Sequence, residues 1–583
     1  MTTLKLIQFS GEIPRIIPRL LADGAAQQAE NVRLDDGGLT PIRKASLVHT
    51  VAGFSPGEAK SIYKHGNEWL AWDTIVNAAP GPVAGDRLYF TGNGVPKMRV
   101  DATIYPLAVP FPSTALTATL SGTATTPEVT KRYYAYTYVT DFGEESEPCP
   151  LSNAVDWQAG KTVTLSGFAA PPTGRAISKQ RIYRLQQSLT LGADLFFIAE
   201  RTAAATNYTD SFGITEFGEV LPSRDWNAPP DGLTGLISLP NGMMAAFLGK
   251  DLYFCEPYRP HAWPEKYVLT MDYPIVALGA YGNTILVMTT GTPTIVSGAS
   301  PDSMIQEKTE INLPCINPRG VVDLGYAIAY PSHDGLVIAS QGQAPSVVTD
   351  VLMTRQIWQK TSPATFVAGQ YAGRYFASYE YIDANDEPTR GTFIFDLTGK
   401  TPFMLRGAIK ADAMHYDIPS GSLNMLVGTE IYEWDALGQF NEIMTWRSKQ
   451  FILPAPASFG CILIEGQGNL TVDEEAAAIA EQDAAVAYNA SIFGLPSIGG
   501  ELNGSAFGVY SVNGDMMKRI APKKFTSVRV IADNEVIATV DEINSVVRLP
   551  PTDKTKTWEV IVNGTAEITQ ISMATTPREL NGI

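Results

Sequence analysis

Gly249-Lys250-Asp251-Leu252-Tyr253-Phe254 decides the fold: a glycine, a polar residue or two, then an apolar-aromatic run. The same order appears in Gly66-Asn67-Glu68-Trp69-Leu70-Ala71-Trp72 and in Gly85-Asp86-Arg87-Leu88-Tyr89-Phe90. It returns in Gly282-Asn283-Thr284-Ile285-Leu286-Val287 and in Gly428-Thr429-Glu430-Ile431-Tyr432-Glu433. Each glycine follows a strand-like stretch, so each phrase predicts a β-hairpin. Hairpins of one type repeated along a chain are the pattern of a β-propeller, whose blades are small antiparallel sheets. Their spacing is irregular and does not give the blade number.

Composition agrees with an all-β fold. The 583 residues are 45% hydrophobic, 18% charged and 10% aromatic, with 50 glycines and 40 prolines. This is a globular composition, and it favours short strands joined by tight turns over long helices. The length calls for several domains. Cys149, Cys255, Cys315 and Cys461 stand far apart without a CxxC pair, as expected of small buried hydrophobes in reduced cytoplasm. No apolar run approaches the length of a transmembrane helix. Met1-Thr2-Thr3-Leu4-Lys5-Leu6-Ile7 lacks the apolar region of a secretory signal, so the protein is expected to act where it is made or inside a larger object. A formal net charge of −17 disfavours tight nucleic-acid binding, which needs clustered Lys and Arg. It is compatible with a conduit that should not grip its cargo.

Four segments follow. Residues 1–111 read as an N-terminal arm and the first propeller blades. Residues 112–222 differ in texture: Tyr133-Tyr134-Ala135-Tyr136-Thr137-Tyr138-Val139-Thr140 is a strongly β-prone strand, and Asp141-Phe142-Gly143-Glu144-Glu145 a turn. With Arg181–Arg184, Leu195–Ala199 and Asn207–Asp210 they read as a fibronectin-III/immunoglobulin-like sandwich inserted into the propeller. Residues 223–454 carry the remaining blades. Residues 455–583 read as a C-terminal β-rich domain with one helix over 473–490, whose Asp473, Glu474 and Glu475 suit a helix N-terminus. Phe525–Ile531 and Trp558–Val562 alternate as strands in that domain.

Near the N-terminus, Pro14 and Pro18 impose an extended arm. Asp23 as N-cap and Ala25, Ala26 and Ala29 as helix formers predict one short helix, ended by Asp36-Gly37-Gly38. The five histidines form no ligand-spaced cluster, and neither a metal nor another cofactor is expected. Ser332-His333-Asp334 is read as a proline-led turn rather than a triad, because adjacent residues point in different directions. Phosphate-binding glycine loops and nucleophile elbows are lacking, and no catalytic residue is assigned. Carboxylate pairs in turns, Glu144-Glu145 among them, carry little weight. Lys518, Arg519, Lys523, Lys524 and Arg529 form the one basic concentration. It is either a solvated, ion-paired face or a contact to DNA or to the acidic 473–483 segment of a neighbouring subunit.

Several of these stretches resemble one family. The arm Pro14-Arg15-Ile16-Ile17-Pro18-Arg19-Leu20-Leu21 runs into Asp23-Gly24-Ala25-Ala26-Gln27-Gln28-Ala29-Glu30-Asn31-Val32-Arg33-Leu34 and then Asp35-Asp36-Gly37-Gly38-Leu39-Thr40-Pro41. To these are added Ala277–Val287, the Tyr330-Pro331-Ser332-His333-Asp334-Gly335-Leu336-Val337 turn, Val547-Arg548-Leu549-Pro550, Trp558-Glu559-Val560 and Gly564–Ile568. Together they are similar to the tail nozzle proteins of short-tailed bacteriophages (tail tubular protein B type) and the related tail-hub, packaged-DNA stabilisation proteins. The resemblance implies a structural virion protein made in the host cytoplasm, not an enzyme. It implies a homo-oligomeric ring, a hexamer, below the phage portal and adaptor, which retains packaged DNA and conducts it during ejection. A receptor- or glycan-binding tail-tip protein and a propeller hydrolase are the alternatives.

Overall fold

Four of the glycine-led phrases close as two-residue hairpin loops, pairing His65 with Glu68, Leu248 with Asp251, Tyr281 with Thr284, and Val427 with Glu430. In each the glycine has φ between +60° and +65° and the next residue does not, which is the II′ pattern that matches strand twist. The fifth phrase opens Arg87–Thr91, paired with Asn77–Pro80. The structure, a computed structural model, describes residues 3–188, 192–383, 386–397, 399, 401–467, 480, 483–485, 487–488 and 525–580.

Six four-stranded antiparallel arrays follow one another, five of them in simple chain order. Sheet A is Asn77–Pro80, Arg87–Thr91, Lys97–Val100 and Thr103–Pro106; sheet B is Thr234–Ser238, Met244–Leu248, Asp251–Phe254 and Leu269–Thr270. Sheet C is Ile275–Tyr281, Thr284–Thr289, Thr294–Ser297 and Ile305–Lys308; sheet D is Val322–Asp323, Ile328–Pro331, Leu336–Ala339 and Ser346–Val347. Sheet E is Val367–Tyr371, Arg374–Ile382, Pro388–Asp396 and Phe403–Gly407. Sheet F takes Ala413–Asp417, Ser422–Val427 and Glu430–Glu433, and is completed by Ser46–Thr50 from the other end of the sequence.

Burial on both faces explains the unbroken apolar runs. In Ile285-Leu286-Val287-Met288, Ile285 and Val287 pack toward sheet B with Phe247 and Leu252, while Leu286 and Met288 pack toward sheet D with Ile328 and Tyr330. Side chains alternate faces along a strand, so a sheet between two others needs apolar residues at every position. The same logic puts Tyr375, Phe393 and Phe395 of sheet E against sheet D, and Phe376 and Ile394 against Leu423 and Met425 of sheet F. Tyr89 and Met98 of sheet A meet Met244 and Ala246 of sheet B. The hairpin of Ser61–His65 and Glu68–Trp72 lies between sheets F and A: Ile62 and Trp69 share a core with Leu426 and Ile431, and Trp72 meets Phe90 with ring centroids 5.4 Å apart. Packing therefore runs from A through F and the hairpin back to A.

Residues 117–210 form a unit with its own core. A three-stranded sheet (Thr117–Gly122, Lys161–Ser166, Tyr208–Asp210) faces a four-stranded one (Val155–Trp157, Thr130–Thr140, Ile177–Ser188, Gly192–Thr202). Tyr134, Tyr136 and Tyr138 of the tyrosine-rich strand are fully buried there with Val163, Leu165 and Ile182. The unit is inserted between sheets A and B.

The C-terminal region continues sheet E. Phe403–Gly407 pairs in parallel with Ala26–Glu30, which pairs with Met444–Ser448, followed by Thr555–Gly564, Thr526–Ala532 and Glu535–Val540. A second sheet joins Thr3–Leu6, Glu567–Ala574, Cys461–Gln467 and Val546–Arg548. These sheets take in Met444–Ser448 and the N-terminal arm. The short helix expected from Ala25, Ala26 and Ala29 is a strand instead. Helix propensity favours alanine by only about 0.5 kcal/mol per residue. That is outweighed by strand partners on both sides and by Ala29 being wholly buried between them. The helix expected over 473–490 lies largely outside the described residues; Ala480, Asp483, Ala484, Ala485, Ala487 and Tyr488 are helical. Among the described residues no helix is long and apolar enough to cross a membrane.

All four cysteines are buried and unbridged. Burial pushes the Cys255 and Cys315 thiols up to about 12, and the Cys149 thiol to about 11. Since the thiolate is the reactive form, a thiol-reactive chromogen is expected to label none of these cysteines in the native protein and all four in denaturant.

Candidate functional site

Lys518, Arg519, Lys523 and Lys524 lie outside the described residues. Arg529 is exposed on Thr526–Ala532 and donates to Asn563 Oδ1 at 3.2 Å. Ser332-His333-Asp334 is the bend between two strands of sheet D, as its turn residues predict. The Ser332 carbonyl accepts from Trp358 Nε1 at 2.8 Å, and Asp334 pairs with Arg355 at 2.9 Å rather than with His333.

Charge is instead buried at three places where the units meet or hold together. The first clamps the arm. Glu12, 2% exposed, accepts from Ala29 N at 2.9 Å and receives Arg406 Nε at 3.0 Å on both oxygens. Burial raises the Glu12 carboxyl above its ordinary value, the Arg406 charge opposing it only in part. A carboxyl raised on folding stabilises most below its unfolded value near 4.5, and that contribution is lost as pH rises through the folded value. Glu12→Gln should therefore flatten this part of the stability profile, read as urea midpoints from pH 4 to 7.

The second holds the inserted unit together. Asp210 accepts from Tyr134 Oη at 2.7 Å, Arg184 Nη1 at 3.1 Å and Arg132 Nη1 at 3.3 Å, all with buried side chains. The Arg132 guanidinium also lies 3.6 Å from the Trp157 ring centroid.

The third, the candidate functional site, is the junction of the inserted unit with sheets A and B. The turn Asp141-Phe142-Gly143-Glu144-Glu145 brings Phe142 to 5.3 Å from Tyr105 of sheet A, between centroids. Glu144 pairs with Arg175 at 2.6 Å, and Arg175 Nη2 also donates to the Leu107 carbonyl. Glu145 takes Tyr183 Oη at 2.6 Å, Thr137 Oγ1 at 2.7 Å and Arg181 at 3.0 Å. His261, from the loop after the third strand of sheet B, lies 3.2 Å from the Glu145 carbonyl through Nε2. Burial, then the Arg175 charge, lowers His261 to about 3, so the ring is neutral. These groups fix the unit rigidly on its neighbours. Sequence reading passed over Glu144-Glu145 because their charged partners, Arg175 and Arg181, lie 31 and 36 residues away, and nothing local distinguishes a buried carboxylate pair in a turn from a solvated one.

No protein-family model and no curated protein matches the chain. Among solved structures, the N-terminal domain of Nup159 aligns over 49% of this chain and 68% of that one, at 7% identity and a TM-score of 0.22. PorZ of the Porphyromonas gingivalis type-IX secretion system aligns over 68% and 44%, at 9% identity and 0.20. The extracellular domain of BT4673 from B. thetaiotaomicron aligns over 96% and 64%, at 7% identity and 0.20. Scores this low carry no argument about fold or function.

Proposed function

We propose that this chain is a structural subunit of a tailed-bacteriophage virion: a β-propeller with an inserted immunoglobulin-like sandwich, forming the tail nozzle or hub. The observation that carries the reading is the circuit of packing from sheet A to sheet F, through the Ser61–Trp72 hairpin and back. Chain-order four-stranded meanders, each apolar on both faces, are what propeller blades require, and Ser46–Thr50 joining Glu430–Glu433 ties the circuit at its ends. The N-terminal arm woven into the C-terminal sheets stitches both chain ends together, as suits a part that must bear load. The sequence resemblance supplies the phage context. Six such subunits would ring the axis below portal and adaptor, holding genomic DNA and conducting it without sequence-specific contact. The net charge of −17 suits passage with little friction.

A cryo-EM reconstruction of the particle's tail vertex tests this. Closed-ring density on the channel axis is expected; density at a distal tip or fibre would move the function to receptor or glycan binding. Absence from the particle would overturn the reading and reopen the enzyme alternative. Charge reversal at Lys523 and Lys524 is expected to impair assembly or DNA delivery, measured as particle yield and ejection rate, if that cluster is a contact. Unchanged yield and rate would make it a solvated face.

A further inference from the structure

The outer edges of the six sheets are not guarded alike. First strands of successive sheets lie against one another, from Asn77–Pro80 with Thr234–Ser238, through Ile275–Tyr281 and Val322–Asp323, to Val367–Tyr371 with Ala413–Asp417. The fourth strands therefore lie on the outside of the packing circuit, where their free N–H and C=O groups can template another strand. In sheets B and D the fourth strand is only two residues long, Leu269–Thr270 and Ser346–Val347. Sheet A ends in Pro106, which has no N–H, and its Tyr105 lies against Phe142 of the inserted unit. Sheet E is covered by Ala26–Glu30. Short strands, proline and a covering element are ordinary ways of closing a sheet edge.

Sheets C and F lack these guards. Their fourth strands, Ile305–Lys308 and Ser46–Thr50, contain no proline and have no outer partner among the described residues. Both hold apolar side chains in the open: Ile305 is 71% exposed, Leu47 50% and Val48 43%. Lys308, which could guard its edge by charge, is held by Asp272 at 2.6 Å. Val48 is the extra residue of a bulge, with Leu47 opposite Tyr432 and His49 opposite Ile431. A bulge adds twist, so this edge suits one matching strand better than open-ended stacking. The edges also carry opposite charges, Lys44 and Glu307, both exposed and neither ion-paired among the described residues. They lie on far sides of the circuit, three steps apart through D and E and four through B, A and the hairpin.

We propose that these two edges bind each other between copies of this chain, Ile305–Lys308 of one subunit adding to Ser46–Thr50 of the next, a contact that rests on the ring reading above. The two surfaces differ and face away from each other, so the contact is heterologous and every subunit uses both edges. Main-chain hydrogen bonds continue sheet C into sheet F of the neighbour, Ile305 is covered beside Leu47 and Val48, and Glu307 is brought toward Lys44.

The full chain with each edge blocked in turn provides the test: Ile305→Lys for sheet C, and Leu47→Lys with Val48→Lys for sheet F. These side chains are exposed, so the urea midpoint should hardly move. Light scattering across a dilution series reads the mass. The wild type is expected as multimers, and either blocked chain as a monomer at the same concentration, its self-association weakened about thirtyfold or more. An equimolar mixture of the two blocked chains should give one-to-one dimers and nothing larger, since each brings one intact edge. Multimers that survive both replacements overturn the strand contact and leave the ring reading standing. Loss of multimers in one variant alone, or no dimer in the mixture, overturns the pairing of these two edges. A wild type that stays monomeric overturns it as well, and a ring at the tail vertex would then place the failure in the contact and not in the ring reading.

Discussion

Asp210→Ala is expected to unfold the inserted unit or bring it close to unfolding. Asp210 is the carboxylate against which both Arg132 and Arg184 are buried, their side chains 2% and 0% exposed. Removing one partner of a buried ion pair costs about 3–5 kcal/mol, because the remaining charge is left in low dielectric. Here two guanidinium groups lose their counter-charge at once, and Tyr134 Oη and Phe212 N lose an acceptor. A domain is stable by only about 5–15 kcal/mol in total, so the substitution removes a large share. Urea denaturation of the full chain should show an early transition in the variant, with proteolytic cleavage confined to 112–222. An unfolding curve superimposable on the wild type would show that solvent, not Asp210, neutralises the arginines. A double replacement of Arg132 and Arg184 by methionine alongside Asp210→Ala should recover much of the loss, since hydrophobic replacement of a whole buried ionic group is often neutral.

Deleting residues 1–34 is expected to be worse still. The deletion removes Ala26–Glu30 from between Phe403–Gly407 and Met444–Ser448, and Thr3–Leu6 from beside Glu567–Ala574. It also exposes the surfaces that cover Leu4, Leu6, Phe9, Val32 and Leu34. Each large apolar side chain is worth about 1.5–3 kcal/mol on burial, so these five account for roughly 8–15 kcal/mol. That matches the whole stability of an ordinary domain, and the edges of Phe403–Gly407, Met444–Ser448 and Glu567–Ala574 are opened besides. The truncated chain should aggregate or expose 444–580 to protease. Phe9→Ala offers a milder version: the ring sits edge-on to Trp446 with centroids 5.0 Å apart, and its loss should cost about 3–5 kcal/mol. Its readout is the tryptophan emission of the denaturation series. A truncated chain that melts like the wild type would mean that the arm is dispensable to the fold.

How much was legible beforehand varies with the range of the interaction. The hairpins were readable because a two-residue II′ loop needs glycine at its first position whatever surrounds it, and Gly66, Gly249, Gly282 and Gly428 announce it. The strands of residues 130–202 and 526–564 were readable from aromatic and β-branched alternation. The arm was misread at Ala26–Glu30 because alanine is a neutral witness: it permits a helix, but also a strand packed too tightly for a larger residue.

By itself, then, the sequence determined the all-β class, the position of the turns and the free buried cysteines. All of these follow from torsional preference or from apolar periodicity within a dozen residues. Only the tertiary structure decided that Ser46–Thr50 completes a sheet begun near residue 413, that the arm belongs to the C-terminal sheets, and that Glu144 and Glu145 are buried. Those outcomes depend on partners tens to hundreds of residues away. A strand edge, a lone carboxylate or an alanine looks the same in sequence until its long-range partner either fills the space or leaves it to water.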